Sequence, residues 1–167
     1  MTIEKAIKTA IEYEIKIRDI YLEGVAVVDD ESGRRFFRAL GNDEQGHIDY
    51  LKQLLVQLQQ NGKITAERLE SAIPSREVLD RQVDEVQSQM AEDDHGLKQQ
   101  MLSKALKMEI ETSAFYSQLI SDMAPAEKQI FARFLEIENS HIDAVQFELD
   151  YISKTGYWFD IKEFDME

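Results

Sequence analysis

The sequence has no cysteine. Disulfides, thiolate nucleophiles, zinc ribbons and cysteine-ligated iron are therefore excluded. A chain without cysteine also fits a reducing compartment, and the cytoplasm is the expected location. Only 2 prolines and 7 glycines punctuate 167 residues, too few for an all-β chain with many turns. Basic residues are scarce: 19 Lys and Arg stand against 33 Asp and Glu, a formal net charge of -14. A surface this acidic repels phosphate backbones and anionic bilayers, so neither nucleic acid nor membrane is an expected partner. No apolar run reaches the roughly 18 residues needed to span a bilayer. The start, Met1-Thr2-Ile3-Glu4-Lys5, lacks the basic and apolar regions of a signal peptide. Hydrophobic residues still make up 43% of the chain, enough for a core, so the acidity does not mean disorder. A single domain over 1–167 is expected at this length.

What the chain does contain is helical periodicity. Apolar residues recur at alternating spacings of three and four. Four long helices follow, over about 2–29, 32–60, 94–123 and 125–154. Thr2 is a plausible N-cap, Asn61-Gly62 and Thr155-Gly156 are stop signals, and Pro125 sits where a first helical turn tolerates proline. The stretch 63–93 reads as a crossover. Within it, Ala66–Ala72 reads as a short helical piece before Pro74, and Ser75 caps a polar helix over Arg76–Met90. Charge and Gln dominate this segment, so most of it is expected in water. The tail, Tyr157-Trp158-Phe159 with Phe164, is too aromatic to hang free and is expected to pack back.

The halves repeat. Glu14 and Tyr21 recur 95 residues later as Glu109 and Tyr116. Glu44-x-x-His47-Ile48-Asp49 recurs 94 later as Glu138-x-x-His141-Ile142-Asp143. A Glu-x-x-His unit puts a carboxylate and an imidazole one turn apart on one helix face, where both can grip one metal ion. One such unit is weak evidence; two in register with a repeat are not. Glu14, Glu44, His47, Glu109, Glu138 and His141 all fall on the apolar seams, whereas Glu12, Glu111 and Glu136 fall off them. Four buried carboxylates need compensation, which two cations would supply. Heights agree as well. Each carboxylate lies 12 to 16 residues from its hairpin loop, or some 18–24 Å at about 1.5 Å per residue.

The pattern Ala10-Ile11-Glu12-Tyr13-Glu14 with Tyr21, Leu40-x-x-x-Glu44-x-x-His47, Ala105-Leu106-Lys107-Met108-Glu109 with Tyr116, and Glu138-Asn139-Ser140-His141 resembles the rubrerythrins of the ferritin-like superfamily, in a short form without a rubredoxin domain. The resemblance covers about residues 3–160. It implies an all-α, ferritin-like four-helix bundle, two helical hairpins joined by one long, partly helical crossover. It also implies a di-iron centre reacting with peroxide or dioxygen. Two positions depart from the pattern. Thr112 stands where typical rubrerythrins carry an extra glutamate, and their four-cysteine iron site is missing. An electron donor is then a separate molecule.

Histidine with carboxylates suits iron, manganese or zinc; iron is favoured by the resemblance and by the oxygen-rich paired site. The expected cofactor is therefore two metal ions. Tyr21 and Tyr116 lie two turns from Glu14 and Glu109 on the same faces. They either donate hydrogen bonds to ligand carboxylates or fill a bundle layer. Asp43, Asp49 and Asp143 are expected at the surface rather than on the histidines. His95 is expected in water, the Met residues in the core, and Glu92-Asp93-Asp94 as a charge cluster at a helix start. The function expected is a di-iron oxidoreductase in peroxide defence or iron handling, working as a homodimer. The alternatives are a ferroxidase that stores iron and a bundle whose metals only fasten helices.

Overall fold

The computed structural model describes residues 1–64, 68–84 and 96–161. Five helices occur in these: α1 (Ile3–Val27), α2 (Glu31–Asn61), α3 (Arg76–Asp84), α4 (Gly96–Asp122) and α5 (Pro125–Thr155). No strand occurs among the described residues. Helices α1 and α2 form one hairpin, α4 and α5 the other, and α1 packs on α4 to join them. This is the all-α bundle the periodicity predicts.

Local chemistry sets the helix ends. Thr2 caps α1, its hydroxyl accepting the Lys5 N–H at 3.2 Å. Asp30 caps α2 by accepting the Gly33 N–H at 3.1 Å. Pro125 opens α5, where its missing N–H costs nothing. Gly62 and Gly156 end α2 and α5 at φ 67° and 80°, a left-handed backbone that only glycine adopts freely.

The crossover corrects one expectation. Residues 68–72 are not helical. Their backbone polar groups have partners elsewhere: Arg133 donates to the Leu69 carbonyl at 2.8 Å, and Asp43 accepts the Ala72 N–H at 3.1 Å. A helix there would have to break both. The segment is also less solvated than its composition suggests, since Leu69, Ile73 and Leu79 are buried. Helix α3 lies against α5. The expected helix start at Asp93, the charge cluster 92–94, His95, Ala66, residues 85–90 and Phe164 fall outside the described residues.

The tail returns as expected. Trp158 packs on Phe36 and Phe37, with ring centroids 5.9 and 5.5 Å away, and Phe159 packs on Phe147 and Tyr151. Gly33 leaves room for this: a Cβ there would come within 2.5 Å of the Trp158 ring.

Two apolar clusters fill the bundle. One holds Ile17, Tyr21, Phe36, Phe37, Leu102, Val145 and the tail aromatics. The other holds Ile7, Ala10, Leu51, Tyr116, Phe131 and Phe134. The polar layer described next lies along the same four helices, at register positions between those of the two clusters.

Candidate metal centre

All six seam residues are fully buried: Glu14 on α1, Glu44 and His47 on α2, Glu109 on α4, Glu138 and His141 on α5. Glu12, Glu111 and Glu136 are exposed. Heptad register alone separates the two sets, because residues two positions apart on a helix face different ways.

The six side chains converge. His47 Nδ1 lies 3.0 Å from Glu44, 3.3 Å from Glu14 and 3.3 Å from Glu138. His141 Nδ1 lies 2.7 Å from Glu44, 3.2 Å from Glu109 and 3.3 Å from Glu138. Each imidazole nitrogen thus faces three carboxylates. Glu44 and Glu138 serve both; Glu14 and Glu109 serve one each. The two rings run nearly parallel, 8° apart with centroids at 5.5 Å. Two overlapping donor sets result, Glu14-Glu44-His47-Glu138 and Glu44-Glu109-Glu138-His141, each compact enough to hold one cation.

The donor set asks for cations. Glu44 Oε2, Glu109 Oε2 and both Glu138 oxygens are buried without a hydrogen bond among the described residues. Orphaned buried oxygens are costly unless something positive meets them. Two metal ions fit that need, and an oxygen-rich set with one nitrogen per ion suits iron, manganese or zinc. Glu14, Glu44, His47, Glu109, Glu138 and His141 are the residues that could hold them.

Without metal, protons substitute. Burial and the neighbouring Glu14 and Glu109 charges push the Glu138 carboxyl up to about 8. Burial, with Glu138 and Glu14 alongside, also drives Glu44 well above the usual carboxylate range. Glu14 goes the other way, to about 2. Burial opposes its charge, but hydrogen bonds from Glu44 and His47 and the His47 charge outweigh that. Burial disfavours charge on both histidines, yet the surrounding carboxylates raise them well above the ordinary imidazole value.

Both tyrosines donate to carboxylates, but across the bundle. Tyr116 gives its O–H to Glu14 at 2.5 Å, and Tyr21 gives its own to Glu109. Residues seven apart on one helix are about 10 Å apart along it, so each phenol instead reaches the facing helix. Burial and the adjacent carboxylates keep both phenols protonated, as donors.

Asp43 overturns its expected surface place. Its side chain is 7% exposed, and its Oδ2 lies 2.7 Å from His141 Nε2 and 3.5 Å from His47 Nε2. The sequence signal was its position four before His47, one turn away on the same face. Asp49 and Asp143 are exposed, as expected. Thr112 is buried in the layer, but its hydroxyl is spent on the Met108 carbonyl at 2.8 Å. Glu148 is a further fully buried carboxylate that periodicity did not flag.

No helix among the described residues is long and apolar enough to cross a membrane. No curated protein and no solved structure matches the chain. The family model for rubrerythrin matches residues 5–149, a span that takes in most of both hairpins, both Glu-x-x-His units and the crossover. The chain belongs to the rubrerythrin family.

Proposed function

We propose that the protein is a di-iron oxidoreductase that reduces peroxide or dioxygen. The observation that carries this reading is the pair of donor sets sharing Glu44 and Glu138, each with one histidine Nδ1. Glu44 and Glu138 belong to both sets, so the same two carboxylates would serve both ions. Glu14 and Glu109 would each hold one ion, and His47 and His141 would cap one each.

The iron pair, when bound, supplies electrons to a small oxidant. The chain's own part is positioning and exclusion. Tyr116 and Tyr21 fix the outer carboxylates by their hydrogen bonds. The two apolar clusters flank the layer on either side. In the empty site Glu138 holds a proton at neutral pH, which an incoming cation would have to displace. The sequence holds no cysteine, so re-reduction falls to a separate donor.

The test is anaerobic loading with ferrous iron, followed by addition of peroxide or oxygen. Uptake of about two irons per chain and stoichiometric oxidant loss are expected, with the oxidised iron returned to the ferrous state by an added reductant. Bound iron that leaves peroxide and oxygen untouched would make the centre a fastener of helices instead. Oxidation coupled to assembly of a large iron-filled shell would make it a storage protein.

A further inference from the structure

Among the described residues, Asp43 is the one carboxylate that meets the histidines through their other ring nitrogen, and it also anchors the crossover. Its Oδ2 accepts from Ser71 Oγ at 2.8 Å and lies 2.7 Å from His141 Nε2. Its Oδ1 accepts the Ala72 N–H at 3.1 Å. His47 Nε2 lies 3.5 Å from the same Oδ2 and makes no hydrogen bond among the described residues. An ionised carboxylate only accepts. His141 must therefore present Nε2–H to it, so that Nδ1, on the side of Glu44, Glu109 and Glu138, is the nitrogen left to give up its proton to a metal. Ser71 and Ala72 come from the crossover, which Leu69 and Ile73 seat by burial. The internal repeat does not call for this contact, since the matching position in the second hairpin is the apolar Ile137.

We propose that Asp43 is a positioning residue that couples the crossover to the metal layer: one carboxylate holds both His141 Nε2–H and the Ser71–Ala72 segment. Metal uptake and docking of the crossover then favour each other, and by linkage the effect runs equally in both directions. The inference rests on the reading that the six buried residues bind metal.

The test is titration of the full-length chain with Co(II) alone, followed by its visible absorption, together with amide hydrogen exchange. Asp43→Asn is expected to weaken Co(II) binding by about 10–100-fold, the usual cost of losing such a partner. It should be worse than Asp43→Ala. The Ala72 N–H keeps the amide oxygen in the Oδ1 place, so the NH2 takes the Oδ2 place toward Ser71 and His141 and favours the tautomer with its proton on Nδ1, facing the metal. Alanine leaves room for a water that accepts. Ser71→Ala should weaken binding a few-fold, and Ser71→Thr, which keeps the hydroxyl, should restore it. In the wild type, Co(II) should slow exchange at Ala72 and Ile73. Equal affinity across the variants would overturn the coupling while leaving the metal site standing. So would an Asp43→Ala loss larger than that of Asp43→Asn, or exchange at Ala72 that ignores Co(II). A wild type that takes up no Co(II) would overturn the metal reading and the coupling together. If Asp43→Asn fails to fold, Ser71→Ala and wild-type exchange still decide.

Discussion

The two hairpins agree at every candidate ligand and differ beside them. Glu14, Tyr21, Glu44 and His47 in the first match Glu109, Tyr116, Glu138 and His141 in the second, and all eight are buried. One position before each Glu-x-x-His unit, the first hairpin has Asp43 and the second Ile137. Ile137 is 2% exposed and packs with the Phe131–Phe134 cluster. Ten positions after Glu44 stands Leu54; ten after Glu138 stands Glu148. The matching residues are those whose charges need each other, so a bundle built twice over supplies both halves of the centre. The differing residues face parts that exist only once. Asp43 meets the crossover, and Glu148 meets the returning tail at Phe159.

The strongest way to break the equivalence is to remove a candidate ligand from each half. Glu14→Ala and Glu109→Ala should each take bound metal from about two per chain to one or none. Glu12→Ala and Glu111→Ala, both at exposed positions, should leave it unchanged. Elemental analysis after iron loading decides. Equal losses from Glu12→Ala would place the wrong face of α1 inside.

Metal removal should act on both halves together. Ligand bound only to the folded state stabilises it by mass action. The metal-free chain should melt about 10 °C below the loaded one at pH 8, given roughly 2–4 °C per kcal/mol at this size. The sign with pH follows from the raised groups. Glu138 sits near 8 in the folded chain against 4.5 when unfolded, so the folded state holds a proton that the unfolded state loses. That contribution is whole below about pH 4.5 and is lost as pH rises toward 8. His47 and His141, raised well above 6.5, likewise lose theirs as pH rises. Glu14 is lowered, so its contribution fades only below 4.5 and plays no part in this window. Protons also compete with metal for the ligands. The melting gap should therefore widen from pH 5 to pH 8. Coincident melting curves at pH 8 would remove the case for a shared buried site.

A finer probe uses the tyrosines. Tyr21→Phe and Tyr116→Phe each delete one hydrogen bond to an outer carboxylate. Each should weaken metal binding by about tenfold, and the two losses should agree within a factor of about three. A large loss from only one, measured by competitive titration, would show that the halves are matched in sequence but not in function.

Much of this was legible because charge on an apolar seam is conspicuous. The seams, the repeat and the relative heights brought six residues together before any coordinates. Hydrogen bonds from the tyrosines to ligand carboxylates were legible, but not which helix each reaches: α1–α4 packing brings Tyr21 to Glu109 and Tyr116 to Glu14. Two features were not legible, each for a physical reason. Asp43 reads as surface because its helix alone would expose it; the crossover covers it. Residues 68–72 read as helical, whereas Asp43 and Arg133 engage that backbone in a non-helical form. Contacts made by a segment with no periodic pattern of its own leave little trace in the pattern.

Glu148 sharpens the comparison most gently. It occupies the register of Leu54, is fully buried, and accepts the Phe159 N–H at 3.1 Å through one oxygen. Its other oxygen has no hydrogen bond among the described residues. Burial, with Asp160 and Asp30 alongside, drives its carboxyl well above the usual range, against the Phe159 hydrogen bond. It lies outside both donor sets. The folded chain thus keeps this carboxyl protonated where the unfolded chain ionises it, and stability falls as pH rises above about 4.5. Glu148→Gln keeps the oxygen that Phe159 needs and cannot ionise. At pH 8 it should melt about 2–4 °C higher than the wild type, an effect on the order of 1 kcal/mol at this size. At pH 4.5 the two should melt together, because the wild-type carboxyl is then neutral as well. Bound metal should be the same in both. Glu138→Gln, ten residues earlier on the same helix, should lose metal instead. A Glu148→Gln chain that melts lower at pH 8 would mean that the tail needs a charged carboxylate, and that this difference between the hairpins is an anchor rather than a burden.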